Sequence, residues 1–168
     1  RAGIYAITLD ENDALVSVHI TSGDDDILIA TRNGMAVKFH ESEVREMGRT
    51  AHGVAGIRLR GDDTVIGMVP RTQNDNLLTI CERGYGKCTD FDEYRRIHRN
   101  SMGVINISTN ERNGKVVSIL SVGINDDLLV ITVNGKIIRC PAKGIPCIGR
   151  ATQGVRIISL DNGDFVSN

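Results

Sequence analysis

"GRTAHGVAGIRL", Gly48 to Leu59, returns as "HRNSMGVINIST" from His98 to Thr109 and as "GRATQGVRIISL" from Gly149 to Leu160. In each copy an arginine (Arg49, Arg99, Arg150) is followed by three residues and then by Gly-Val. A partial copy, "AGIYAITL", opens the chain and puts Gly3 in the same slot. Gly3, Gly53, Gly103 and Gly154 are therefore spaced by 50, 50 and 51 residues. A fixed period of that size marks a repeat architecture, in which each unit buries its apolar face against its neighbours. The repeats run approximately over 1–52, 53–102 and 103–153, with an incomplete one over 154–168, all within one domain.

Inside one repeat the pattern is that of strands. "GVAGIRL" from Gly53 alternates apolar and polar residues, and "TVIGMV" follows after the turn "RGDD". "LLTICE" and "GKCTDF" supply a third and a fourth strand. The turn between those two reads "RNG" at Arg32, "RG" at Arg83 and "VNG" at Val133. Asn-Gly between apolar runs predicts a hairpin with a type I′ turn, which needs positive φ at both central residues. "HESEVREMG", "DFDEYRRIH" and "CPAKGIPCIG" follow the hairpins as about one helical turn or a loop, and Pro141 and Pro146 argue against a helix in the last copy. Four short strands per 50 residues predict an all-β, propeller-like fold; closing a wheel takes about four to eight blades, and this chain supplies about three to four. The Gly-Val glycines Gly3, Gly53, Gly103 and Gly154 read as structural, giving close backbone approach or positive φ where the strand starts.

Net charge is −1 over 168 residues, but the charge is not spread evenly. From the hairpin turn through the Gly-Val strand the net charge is +3 over 32–60, +2 over 83–107 and +5 over 135–157, which leaves −11 for the rest. Acids gather before the third strand: Asp24, Asp25 and Asp26, then Asp75, then Asp126 and Asp127. Acids at turns are common for local backbone reasons. The basic recurrence is the informative half: in a radial repeat, equivalent positions form an edge, and a basic edge on a neutral chain is a footprint for a polyanion.

No apolar run approaches the 18 residues of a membrane span. The chain lacks an initiator Met and begins and ends within a repeat, so it reads as a piece of a larger protein. Cys81, Cys88, Cys140 and Cys147 show no CxxC spacing and read as reduced thiols. His19, His40, His52 and His98 are scattered, and none of Tyr5, Tyr85 and Tyr94 has an activating neighbour. No catalytic residue, metal or cofactor is expected.

"EVREMGRTAHGVAGIRL", "RGYGKCTDFDEYRRI", "MGVINI" and "VNGKIIRC…IGRATQGVRIISL" resemble the C-terminal domain of DNA gyrase A, over essentially the whole chain. The resemblance implies a β-pinwheel, a propeller-like wheel of six blades that exchange strands, of which this chain is about half. It further implies duplex DNA wrapped without sequence preference around a basic outer edge, in support of ATP-dependent negative supercoiling. The implied partners are duplex DNA, the remainder of DNA gyrase A, and DNA gyrase B, in the bacterial cytoplasm and away from membranes. The chemistry of strand cleavage and of ATP hydrolysis would lie outside this chain. The family's basic heptapeptide of the type Gln-Arg-Arg-Gly-Gly-Lys-Gly, which belongs to the first blade, is absent from the sequence. Cys88 stands where the equivalent residues are Lys38 and Arg139, and Met102 where the family often has Lys.

The expected phosphate contacts are Lys38, Arg45, Arg49, Lys87, Arg95, Arg96, Arg99, Lys136, Arg139, Lys143 and Arg150. Arg49, Arg99 and Arg150 hold one register, so their joint replacement by alanine is expected to weaken DNA binding without unfolding the chain. Two other readings stay open: the related topoisomerase IV domain, and a propeller that scaffolds other proteins, for which three Phe and three Tyr offer few anchors.

Overall fold

The strand "DILIAT" carries apolar side chains on both of its faces, and so does "NLLTIC". Because successive side chains of a strand point to opposite sides, such a strand is satisfied only between two other layers. The computed structural model, which describes residues 3–71 and 76–167, shows how those layers form; Asp75, in the second acidic turn, lies outside the described residues. Strand β1 (Asp26–Thr31) pairs antiparallel with β2 (Met35–His40), and the first sheet is completed by β3 (Val65–Pro70). Strands β4 (Asn76–Cys81) and β5 (Tyr85–Asp90) form the second hairpin. After them come β6 (Val104–Ile105), β7 (Val116–Val122), β8 (Asp127–Ile131), β9 (Ile137–Pro141) and β10 (Val155–Arg156).

Sheet order departs from a simple four-strand repeat. The first sheet runs β3-β1-β2-β6 and the second β10-β5-β4-β7. Each of these two hairpins therefore sits in the middle, flanked by the strand that follows it and by the Gly-Val strand of the repeat after next. The third hairpin, β8-β9, is a two-stranded sheet, with Thr132 bridging to Val166 as Thr31 does to Val65 and Cys81 to Val116. The expected strand "GVAGIRL" builds no ladder: Ile57 makes a single parallel bridge to Ser101. Its two later counterparts form strands of two residues. The reason is the exchange itself: a Gly-Val segment pairs with the hairpin two repeats before it, as Val104 does with Ala36 and Val155 with Gly86, and no described hairpin precedes the Gly53 segment at that distance.

The hairpin turns also differ from the type I′ expectation. Gly34, Gly84 and Gly135 have φ of 85°, 78° and 81°, whereas Asn33, Arg83 and Asn134 do not have positive φ. The glycine N–H donates to the carbonyl three residues back, Gly34 to Thr31 at 3.0 Å and Gly84 to Cys81 at 3.0 Å. This is a tight turn closed by one left-handed glycine, the three-residue hairpin loop with a bulge.

Packing follows the strand alternation. Leu28 and Ala30 of β1 face Leu77, Cys81, Phe91 and Tyr94 in one core between the first and second sheets. Ile27, Val37 and Phe39 point the other way, with Ile57 and Met68. Leu78 and Ile80 of β4 join Leu128, Val130, Ile145 and Ile158 in the core between the second and third sheets. Thr79, Asn106 and the Tyr94 hydroxyl, all buried, satisfy one another, the hydroxyl donating to Asn106 Oδ1 at 2.6 Å. Leu77→Ala, at a fully buried site, is expected to lower the unfolding free energy by about 3–5 kcal/mol, read from a urea midpoint; a loss under about 1 kcal/mol would mean that the first two sheets do not share a core.

Candidate nucleic-acid interface

Each hairpin runs into one turn of 3-10 helix: Glu41–Glu43, Phe91–Glu93 and Ala142–Gly144. The first two are capped by side chains, His40 accepting from the Ser42 N–H and Asp90 from the Asp92 N–H. The third copy forms the same turn despite its prolines, because Pro141 occupies the cap position with φ −74°, a value proline supplies on its own. These turns carry much of the basic register, and the structure sorts its members into three groups.

The first group is spent inside the protein. Lys38 is buried and its Nζ donates to the Phe91 carbonyl at 2.8 Å. Lys87 is fully buried and its Nζ donates to the carbonyls of Gly149 and Arg150 at 2.7 and 2.5 Å. Arg99 and Arg150 act alike. Arg99 Nε donates to the Glu43 carbonyl at 3.0 Å and Nη1 to the Ala55 carbonyl at 3.0 Å. Arg150 Nε donates to the Glu93 carbonyl at 3.1 Å and Nη1 to the Ile105 carbonyl at 3.0 Å. Each guanidinium thus fastens the end of the preceding 3-10 turn to a Gly-Val segment. The repeated arginine is a clasp between units; the expectation that Arg99 and Arg150 could be removed at no structural cost does not fit these contacts. Arg49, at the same register, makes no such clasp and is exposed beside Tyr5, Ile7 and Leu9.

The second group is exposed but ion-paired: Arg96 with Asp26 at 2.8 Å, Arg139 with Asp127, and Lys136 with Asp161. Two of the acidic clusters therefore meet cations, Asp26 across a junction between units and Asp127 within its own sheet, and Asp25 and Asp126 each accept the N–H of the residue three positions back, Ser22 and Gly123. The third group is exposed and makes no ion pair or side-chain hydrogen bond among the described residues: Arg45, Arg49, Arg95 and Lys143. Arg45 and Arg95 hold the same place, two residues past the end of successive 3-10 turns, and Lys143 lies in the third turn.

Of the Gly-Val glycines, Gly103 packs against the Ala36 carbonyl and Gly154 against the Gly86 backbone. Gly53, Gly103 and Gly154 have φ of 85°, 72° and 74°, and Gly3 has open space around it. Sequence reasoning missed a second basic group. Arg112 and Arg156 lie over the Tyr85 ring at 4.7 and 5.4 Å, and Arg156 Nη2 donates to the Tyr85 hydroxyl at 2.9 Å. Hydrogen bonds from Arg156 and Arg112 hold the Tyr85 hydroxyl below the usual tyrosine range. Arg112 sits between Glu111 and Asn113 in a segment of negative net charge, so a charge count hid it. Among the described residues no three His, Cys, Asp or Glu side chains gather as metal ligands. Among the described residues no helix is long and apolar enough to cross a membrane.

Burial, the largest cause, pushes the Lys87 ammonium down from 10.5 to about 8. A lysine with a depressed folded pKa binds fewer protons in the folded state than in the unfolded one between those values. Its contribution to stability therefore rises as pH climbs from about 8 to 10.5. The difference in urea midpoint between wild type and Lys87→Met is expected to move in favour of wild type from pH 7.5 to 9.5; two parallel curves would contradict it.

The family described as "DNA gyrase C-terminal domain, beta-propeller" matches residues 1–22, 25–70, 75–122 and 126–168. The chain is 45% identical over 168 residues to the DNA gyrase A protein of Haloquadratum walsbyi, covering 99% of this chain and 20% of that protein. It is 46% identical over 170 residues to the DNA gyrase A protein of Kosmotoga olearia, covering 99% and 21%. The chain thus spans about a fifth of the length of these relatives. A solved DNA gyrase A C-terminal domain superposes with a TM-score of 0.91 at 25% identity, over 99% of this chain and 57% of that one. The C-terminal domain of DNA topoisomerase IV superposes with a TM-score of 0.89 at 25% identity, over 96% and 51%.

Proposed function

Because the chain belongs to the DNA gyrase C-terminal domain family, we propose that it binds duplex DNA without sequence preference, along the rim formed by its 3-10 turns, and curves the duplex around that rim. The observation that carries this reading is the pair Arg45 and Arg95, exposed and without ionic partner at the same position of successive units. Arg49 and Lys143 extend the same unpaired set. A guanidinium with no internal carboxylate is free to make paired hydrogen bonds to phosphate oxygens. Such contacts position DNA and read no bases. Bending a 20–30 bp site by 40–90° costs on the order of 1–6 kcal/mol, which counterion release along a row of phosphate contacts can offset. In the longer protein, the remainder of DNA gyrase A, together with DNA gyrase B, would use the curved duplex for strand passage in the cytoplasm.

The triple variant Arg45→Ala, Arg95→Ala, Lys143→Ala removes three of the four unpaired cations in the expected contact set and no hydrogen bond or ion pair. It is expected to fold as wild type and to lose about tenfold or more in duplex affinity at low salt. Its salt dependence should fall to a log–log slope of about −1, from about −3.5 for four phosphate contacts. Unchanged affinity and slope in the folded triple variant would place the DNA elsewhere, with the Arg112 and Arg156 pair as the next surface to test.

A further inference from the structure

Two junctions between units share one geometry and differ in chemistry. At the first, Lys38 bridges in parallel to Arg96, and Arg96 Nε pairs with Asp26 Oδ1 at 2.8 Å. At the second, the same register holds Cys88 bridged in parallel to Cys147, and Cys147 Sγ lies 3.7 Å from Asn76 Oδ1. Asn76 occupies in β4 the place that Asp26 occupies in β1. A buried ammonium and an ion pair at one junction are thus replaced by two thiols at the next.

The backbone holds those thiols side by side. The Cys88 N–H donates to the Pro146 carbonyl at 3.2 Å, and the Ile148 N–H donates to the Cys88 carbonyl at 2.9 Å. Hydrogen bonds on both flanks fix residues 88 and 147 as direct neighbours across two strands about 4.8 Å apart. Side chains of directly bridged residues in parallel strands project to the same face. That spacing falls inside the roughly 4.4–6.8 Å between Cα atoms that a disulfide spans. The Cys147 sulfur turns toward Asn76, on the face of β4 that also carries Leu78, and Leu78 is the cross-strand partner of Cys88.

We infer that Cys88 and Cys147 form a reversible disulfide that locks β5 to the segment carrying the Arg150 clasp, with a peroxide as oxidant. The two sulfurs have different roles. Cys147 is exposed and Cys88 is buried, so the peroxide meets Cys147 first. The Cys147 thiolate attacks one peroxide oxygen, the O–O bond breaks, and Cys147 becomes a sulfenic acid while hydroxide leaves and is protonated to water. Cys88 sulfur then attacks the sulfenic sulfur. The S–O bond breaks, the S–S bond forms, and the departing hydroxide takes the Cys88 proton as a second water. Two thiols lose two electrons and two protons, and hydrogen peroxide is reduced to two waters. A dithiol reductant returns both thiols by exchange. Burial and the neighbouring Cys147 push Cys88 up to about 11, which makes the second step the slow one. Cys81 is buried in the core shared by the first two sheets, and Cys140 is half-buried on β9, so neither shares the arrangement.

The test is mass spectrometry of the chain after hydrogen peroxide titration, with free thiols alkylated under denaturing conditions. Wild type should become lighter by two hydrogens, keep two of its four thiols, and yield a linked peptide joining Cys88 to Cys147. Dithiothreitol should restore all four. The oxidised chain should melt roughly 5–10 °C higher than the reduced one. Cys147→Ser, a change at an exposed site, should abolish both the link and the shift. Sulfinic acid on Cys147 with Cys88 still free to alkylate, or a disulfide joining Cys147 to Cys140 or to a second chain, would overturn the assignment.

Discussion

Replacing Gly103 by alanine should lower the unfolding free energy by about 3 kcal/mol or more, whereas Gly135→Ala should cost only about 1 kcal/mol. Both glycines have positive φ, 72° and 81°, so both substitutions carry the left-handed penalty of roughly 1–2 kcal/mol. Their surroundings differ. A Cβ on Gly103 would collide with the Ala36 carbonyl, whose carbon would lie 2.8 Å away, while a Cβ on Gly135 meets nothing within 4 Å. Ala36 pairs with Val104 in the β2–β6 ladder. The Gly103 variant must therefore push apart the strands by which one unit holds the next. Chemical denaturation of the two variants reads the difference directly; equal losses would show that the clash is relieved without disturbing that ladder.

The clasp arginines carry the second large effect. Arg99→Ala and Arg150→Ala should each cost about 2 kcal/mol, because each removes two hydrogen bonds from a charged donor to backbone carbonyls. The figure is set toward the low end because both sites are partly solvated. The two clasps share no partner, so the double variant should lose about 4 kcal/mol. Arg49→Ala, at the same register without a clasp, should change stability by less than about 0.5 kcal/mol. Lysine should not rescue Arg150→Ala, since an ammonium cannot reproduce the planar fork that reaches both Glu93 and Ile105. A double variant as stable as wild type would return Arg99 and Arg150 to the pool of free cations.

The period, the hairpins and their glycine turns were legible because they are local: a strand alternates and a turn needs a left-handed residue within three positions. Strand exchange was implied by the family resemblance alone, since Ala36 meets Val104 across 68 residues and nothing in either segment states its partner. The basic register was half legible. Carbonyl and phosphate oxygens accept the same donors, so an arginine repeated for packing looks like one repeated for DNA. Lys87 did leave a signal: it lies between Gly86 and Cys88 in a strand whose two faces are both buried. A lysine there has to find acceptors inside the protein. Arg45 and Arg95 differ in lying past the 3-10 turn, where the chain has left the sheet.

The most direct test of the account is duplex binding by fluorescence anisotropy, with two unrelated duplexes of about 30 bp, across a salt series. Contact through Arg45, Arg49, Arg95 and Lys143 predicts the same affinity for both sequences and a log–log slope near −3.5. Strong preference for one sequence, or binding too weak and too flat in salt to need more than one phosphate contact, would contradict it.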